Sequence, residues 1–253
     1  MKRTDINLRD PFVLVHEGRY YLYGTRGATC WGPADGFDVY MSADLESWDG
    51  PHTCFQNDGS FWATENYWAP EVYAVNGDFY MAASFKAEGR CRGTCLLRAQ
   101  SPLGPFAPWS DGPLTPRDWE CLDGTLYFSP DGKPWLIFCH EWTQITDGTV
   151  CALPLSSDLR SPAGPLRELF RASSGTPWVK QVHHKRTGID GYVTDGPFPW
   201  RLADGRLLLL WSSFSAGGYT LAVAASDHGN VTGTFSPLEP LCSNPGGHRT
   251  VLR

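Results

Sequence analysis

Four times along this chain one layout returns: a polar or acidic start, a short run, an Xaa-Gly turn, and then an aromatic or aliphatic strand. The four copies are Asp10-Pro11-Phe12-Val13-Leu14-Val15 with turn Glu17-Gly18 and strand Tyr20-Tyr21-Leu22-Tyr23; Ala69-Pro70-Glu71-Val72-Tyr73 with turn Asn76-Gly77 and strand Phe79-Tyr80-Met81; Asp123-Gly124-Thr125-Leu126-Tyr127-Phe128 with turn Asp131-Gly132 and strand Trp135-Leu136-Ile137-Phe138; and Asp195-Gly196-Pro197-Phe198 with turn Asp204-Gly205 and strand Leu207-Leu208-Leu209-Leu210-Trp211. Each reads as a β-hairpin. Strand-like runs closed by turn signals follow at 39–42, 95–99, 150–153 and 221–225, so each repeat supplies about four strands. The spacing of the turn glycines somewhat exceeds the roughly 40–50 residues of a compact four-stranded blade, and longer loops account for the difference.

Radial repetition of four-stranded sheets makes a β-propeller, whereas a two-sheet sandwich leaves the repeated layout unexplained. No long stretch carries a helical period, and 27 Gly and 20 Pro punctuate the chain as turns, so the expected class is all-β. The expectation is a single domain over residues 1–253, with a fifth inner strand starting near Gly246 and left incomplete.

In a propeller the first strand of every blade lines the central axis, so equivalent positions of different repeats gather in space. Counting back from the turn glycines, Asp10 lies eight residues before Gly18, Asp123 nine before Gly132 and Asp195 ten before Gly205; the second repeat has Ala69 there, beside Trp68. An Asp before Pro or Gly is ordinarily a turn former. Three at one level predict more than turns, because clustered carboxylates push one pKa up and set an acid beside a base, as glycoside hydrolysis requires. His140 and Glu141 follow the third hairpin and return to the end that carries Asp123, which makes Glu141 a fourth candidate carboxylate.

Composition narrows the partners. A formal net charge of −6 offers no basic field for phosphate backbones, so the expected partner is a neutral carbohydrate and not nucleic acid. Aromatic residues reach 13%, enough to build a core and still stack on sugar rings. The start Met1-Lys2-Arg3-Thr4-Asp5 has no apolar signal-peptide segment and no run approaches the roughly 20 apolar residues of a membrane span, so the expectation is a cytoplasmic chain without a membrane partner. The eight cysteines are scattered and read as free buried thiols; Cys91 and Cys95 have no second pair with which to hold zinc.

These residues together resemble glycoside hydrolase family 43, whose members are five-bladed propellers acting mainly on arabinose- and xylose-containing plant glycans. Arg9-Asp10-Pro11-Phe12 followed by Gly18-Arg19-Tyr20-Tyr21-Leu22-Tyr23-Gly24-Thr25 resembles the first-blade motif, which implies that Asp10 is the general base. Trp68-Ala69-Pro70-Glu71-Val72 resembles the start of the second blade, with Trp68 shaping the sugar pocket and Phe12 and His140 as further expected substrate contacts. Leu122-Asp123-Gly124 resembles the third-blade motif, whose Asp orients the acid and tunes its pKa.

In the fourth blade the family has Glu-Gly-Pro with Glu as general acid, where this chain has Asp195-Gly196-Pro197. Asp195 is the expected acid and Glu141 its rival. Gly247-His248 resembles a fifth-blade motif whose His helps to hold calcium or a similar ion; no other cofactor is expected. The implied activity is an inverting, exo-acting α-L-arabinofuranosidase or β-xylosidase. The alternative is a carbohydrate-binding pseudoenzyme on the same propeller; a protein-interaction platform is disfavoured because it has no need of axial carboxylates.

Overall fold

The computed structural model describes residues 1–243 apart from Gly175 and Arg186. Its contacts group into two compact units, Met1–Asp118 and a second beginning at Trp119. The first holds two antiparallel sheets. One runs β1 (Leu8–His16), β2 (Arg19–Arg26), β3 (Gly36–Ser42), β4 (Trp48–Gln56); the other runs β5 (Glu65–Val75), β6 (Asp78–Ala87), β7 (Arg90–Ala99), β8 (Ala107–Pro108). Strand order follows sequence order in both, so each sheet is an up-and-down meander made of the hairpin and its two trailing strands.

In the second unit β9 (Cys121–Phe128), β10 (Pro134–His140), β11 (Thr149–Pro154) and β12 (Arg167–Arg171) form one such sheet. After a short ribbon of β13 (Val182–His183) and β14 (Asp190–Gly191) comes another, made of β15 (Asp195–Arg201), β16 (Leu207–Ser215), β17 (Gly218–Ser226) and β18 (Phe235–Pro237), with β19 (Cys242–Ser243) added against β17. Among the described residues the one α-helical segment is α1 (Trp142–Ile145). The four repeats therefore become four blade-type sheets, and the chain is all-β, of the propeller class. The predicted fifth inner strand lies outside the described residues.

Local chemistry explains the hairpins. At Glu17-Gly18 (φ 49° and 71°) and Asn76-Gly77 (φ 51° and 87°) both central residues are left-handed, the turn whose twist matches that of the strands it joins. Alternation then sends aromatic side chains inward. In the first unit Phe85 sits 4.9 Å from Tyr67 and 5.9 Å from Phe37, centroid to centroid. In the second, Ile137, Leu207, Leu209 and Trp211 are fully buried in one cluster, each contributing roughly 1.5–3 kcal/mol of burial. Six cysteines are buried and all eight are free, as the scattered spacing predicts.

One irregularity is common to all four inner strands and positions the candidate site. Pairing runs Arg9↔Thr25 then Phe12↔Tyr23 in β1–β2, Trp68↔Ser84 then Glu71↔Ala82 in β5–β6, Leu122↔Cys139 then Thr125↔Ile137 in β9–β10, and Asp195↔Ser212 then Phe198↔Leu210 in β15–β16. In each case two inner-strand residues oppose one on the neighbour, which is a β-bulge. The first bulged residue is left-handed every time: Asp10 (φ 50°), Ala69 (φ 47°), Asp123 (φ 56°) and Gly196 (φ 52°). Asp and Ala hold this conformation at a cost of about 1–2 kcal/mol, and such strain concentrates at functional sites.

Candidate active site

The bulges re-aim side chains. In the first unit Asp10 is half-buried, and its Oδ2 accepts a hydrogen bond from the Thr25 hydroxyl at 2.7 Å. The same hydroxyl accepts from the Ala69 N–H at 2.9 Å. Thr25, fully buried, thus links the Asp10 carboxylate to the bulge of the next sheet. In the second unit the link is direct: the Gly196 N–H donates to Asp123 Oδ2 at 2.9 Å. Within each unit the carboxylate of one bulge is held through the backbone of the next, and this orients Asp10 and Asp123 before any ligand arrives.

Asp195 stands elsewhere than its count from Gly205 predicts. Backbone geometry matches Asp10 and Asp123 with Gly196, so Asp195 is one residue upstream, level with Arg9, Trp68 and Leu122. The extra residue on each bulged strand is invisible to counting. Asp195 is half-buried, and its Oδ2 accepts a hydrogen bond from the Tyr219 hydroxyl at 2.8 Å. Burial, followed by the nearby Asp195 and Asp123 charges, pushes the Tyr219 hydroxyl well above the usual phenol range, so Tyr219 remains the donor.

Opposite this upstream level sit Thr25, Ser84, Cys139 and Ser212, all small and essentially fully buried. Cys139 takes the place that Thr25 holds in the first sheet. Burial first, then the charges of Asp123 and Asp195, holds its thiol well above the ordinary range, so it stays protonated and adds no charge.

Other expected residues separate. Phe12 is only 7% exposed and packs its ring 5.6 Å from Tyr73, so most of its surface lies between β1 and β5. Trp68 remains half-buried and accessible, its indole N–H donating to the Cys30 carbonyl at 2.6 Å and the Arg92 guanidinium lying 3.9 Å from its ring centroid. His140 is buried, stacked 3.9 Å from Trp119 at an interplanar angle of 12°, and its Nε2 is 2.8 Å from Gln144 Oε1. The third hairpin does return: His140 pairs with Cys121, and the Glu141 N–H donates to the Glu120 carbonyl at 2.8 Å, leaving Glu141 as the residue before α1. His248 lies outside the described residues, and with it the expected ion. Among the described residues no group of three or more His, Cys, Asp or Glu side chains is arranged to hold a metal.

Thr25, Tyr219 and Cys139 were not singled out from sequence. Thr25 closes the first-blade motif, which is its only signal; Tyr219 reaches Asp195 across β16, a contact that no local pattern encodes.

Known proteins share this fold. The chain is 40% identical to an endo-arabinase from Bacteroides thetaiotaomicron VPI-5482, and the superposition covers 98% of this chain and 86% of that one with a TM-score of 0.90. It is 27% identical to the extracellular endo-α-(1→5)-L-arabinanase 1 of Bacillus subtilis (strain 168) over 54% of this chain and 45% of that protein. It is also 27% identical to the extracellular exo-α-(1→5)-L-arabinofuranosidase ArbA of Cellvibrio japonicus (strain Ueda107) over 63% of this chain and 47% of that protein. The matched stretches thus span less than half the length of these two relatives. The model of the glycosyl hydrolases family 43 matches residues 5–245, and the chain belongs to that family.

Proposed function

We propose that this chain is an inverting glycoside hydrolase that cleaves α-L-arabinosyl linkages in pentose-containing glycans. The observation that carries the reading is the paired construction of Asp10 and Asp123, two carboxylates on left-handed bulges, each fixed through the backbone of the adjoining bulge, with Asp195 beside the fourth. Hydrolysis with inversion needs a base and an acid, and a neighbouring group that orients the acid improves it. In this reading Asp10 takes a proton from water as its oxygen attacks the anomeric carbon. The bond to the leaving oxygen breaks, and Asp195 supplies the proton that oxygen requires. Asp123, bonded to the Gly196 N–H, fixes the strand from which Asp195 projects. Asp10 ends protonated and Asp195 ionised, and exchange with solvent restores both.

Arabinosyl rather than xylosyl specificity is supported by the three relatives above, which are an endo-arabinase, an endo-α-(1→5)-L-arabinanase and an exo-α-(1→5)-L-arabinofuranosidase. The test is hydrolysis of aryl α-L-arabinofuranoside, aryl β-D-xyloside and arabinan by wild type, Asp10→Asn, Asp195→Asn and Glu141→Gln, with NMR of the first-formed anomer. The expected result is inversion and a loss of about 10²–10⁴-fold in Asp10→Asn and Asp195→Asn. Retention of configuration, or no hydrolysis of any of these by wild type, overturns the reading; loss in Glu141→Gln but not in Asp195→Asn moves the acid to Glu141.

One observation favours a second reading, a carbohydrate-binding chain with weak hydrolysis. The Asp195 carboxyl is tied to the Tyr219 hydroxyl at 2.8 Å, on a side chain one methylene shorter than the Glu of the family motif it resembles, which limits its reach toward a leaving oxygen. Oligosaccharide binding without turnover in the same assays identifies it.

A further inference from the structure

Trp31, in the segment between β2 and β3, is 73% exposed, against 38% for Phe128, the other large aromatic side chain that is exposed among the described residues. An indole left in water usually sits on a loose loop. This one does not. The residue before it, Cys30, is 3% exposed, and its carbonyl accepts from the Trp68 indole at 2.6 Å and the Asn66 side-chain amide at 3.3 Å. The residue after it, Gly32, accepts from the Asn66 N–H at 3.0 Å; two residues on, Ala34 donates to the Thr64 carbonyl at 3.0 Å. Asn66 is itself left-handed, φ 50°, so strained backbone is retained at the anchor.

The side chain is equally fixed. The Trp31 ring meets Trp68 nearly edge-on, centroids 5.4 Å apart at 77°, and the Arg9 guanidinium lies 5.2 Å from the Trp31 centroid. Arg9 directly precedes Asp10 in β1. A rigid, solvent-facing indole beside a guanidinium has an apolar face for the C–H side of a sugar ring and N–H donors for its hydroxyls. Contacts with Trp68 and Arg9 on an anchored backbone pre-orient the ring, which lowers the ordering entropy lost when a ligand stacks on it.

We propose that Trp31, flanked by Arg9 and Trp68, is a binding platform for a neutral glycosyl unit of the substrate chain other than the one that reacts, so that the protein gains affinity with oligosaccharide length. The inference rests on the hydrolase reading for the identity of the glycan, but its test does not require turnover.

Arabino-oligosaccharides of one to six units are titrated calorimetrically into the full chain carrying Asp10→Asn, alone and combined with Trp31→Ala, Trp31→Phe or Phe128→Ala, with near-ultraviolet circular dichroism as the check of folding. Asp10→Asn is expected to bind the tetramer about tenfold more tightly than the monomer. Trp31→Ala removes that gain, Trp31→Phe restores most of it, and Phe128→Ala leaves it in place. Survival of the length gain in folded Trp31→Ala, its equal loss in Phe128→Ala, or no binding of any oligosaccharide overturns the platform. The hydrolase reading fails separately, on absence of turnover by wild type.

Discussion

A carboxyl group that must deliver a proton is sensitive to every donor that touches it, and Asp195 is touched by Tyr219 at 2.8 Å. A phenol donating to a carboxyl group fixes the direction in which that group points. Tyr219 stays protonated because burial, and after it the Asp195 and Asp123 charges, raise its own titration well beyond the working range. Tyr219→Phe removes that donor from Asp195 and leaves the ring in place. The change frees the carboxyl from its anchor, and because misplacement of about 1 Å costs around a hundredfold, kcat is expected to fall by up to that factor. An unchanged kcat in folded Tyr219→Phe would show that Asp195 does not depend on this anchor.

The bulge is the element in which sequence and structure part company. Turns such as Glu17-Gly18 are local, encoded by residues that tolerate φ > 0, and the alternating strands after them are equally local; hence the hairpins and four-stranded sheets were legible. Level on the inner strand is not local. Gly196, not Asp195, stands with Asp10, Ala69 and Asp123, because Pro or Gly follows each left-handed residue and each bulge adds one residue that a count from the turn cannot see. Phe12, two places beyond Asp10, has re-entered regular pairing with Tyr23 and packs on Tyr73, a burial that a count from the turn does not reveal. Trp31 had no signal, since an irregular segment carries no period.

Thr25 tests the element directly. Thr25→Val keeps the shape but removes the hydroxyl that donates to Asp10 and accepts from the Ala69 N–H. Leaving that buried N–H without its partner costs about 1–3 kcal/mol, which lowers Tm by about 2–4 °C per kcal/mol in a chain of this size. Hydrolysis is expected to fall at least about tenfold as Asp10 loses its orientation. Thr25→Ser, which keeps the hydroxyl, restores both. An unchanged Tm in Thr25→Val would show that the bulge is held by its backbone alone.

At the scale of the whole molecule the argument returns to charge. A net charge of −6 repels anionic glycans at long range and is indifferent to neutral ones. Salt screens the first effect within about 10 Å at 0.1 M and has nothing to act on in the second. The contacts proposed for the substrate, the Trp31 and Trp68 rings and hydrogen bonds from the Arg9 guanidinium to neutral hydroxyls, are apolar or close-range, and screening barely reaches them. For neutral arabino-oligosaccharides KM is therefore expected to change less than about twofold between 0.05 and 0.5 M NaCl. For an oligosaccharide bearing a uronic acid the same protein gains as salt rises, because the repulsion is screened. A KM for neutral substrate that climbs steeply with salt would mean that charge pairing dominates recognition, and the neutral-glycan reading would fall with it.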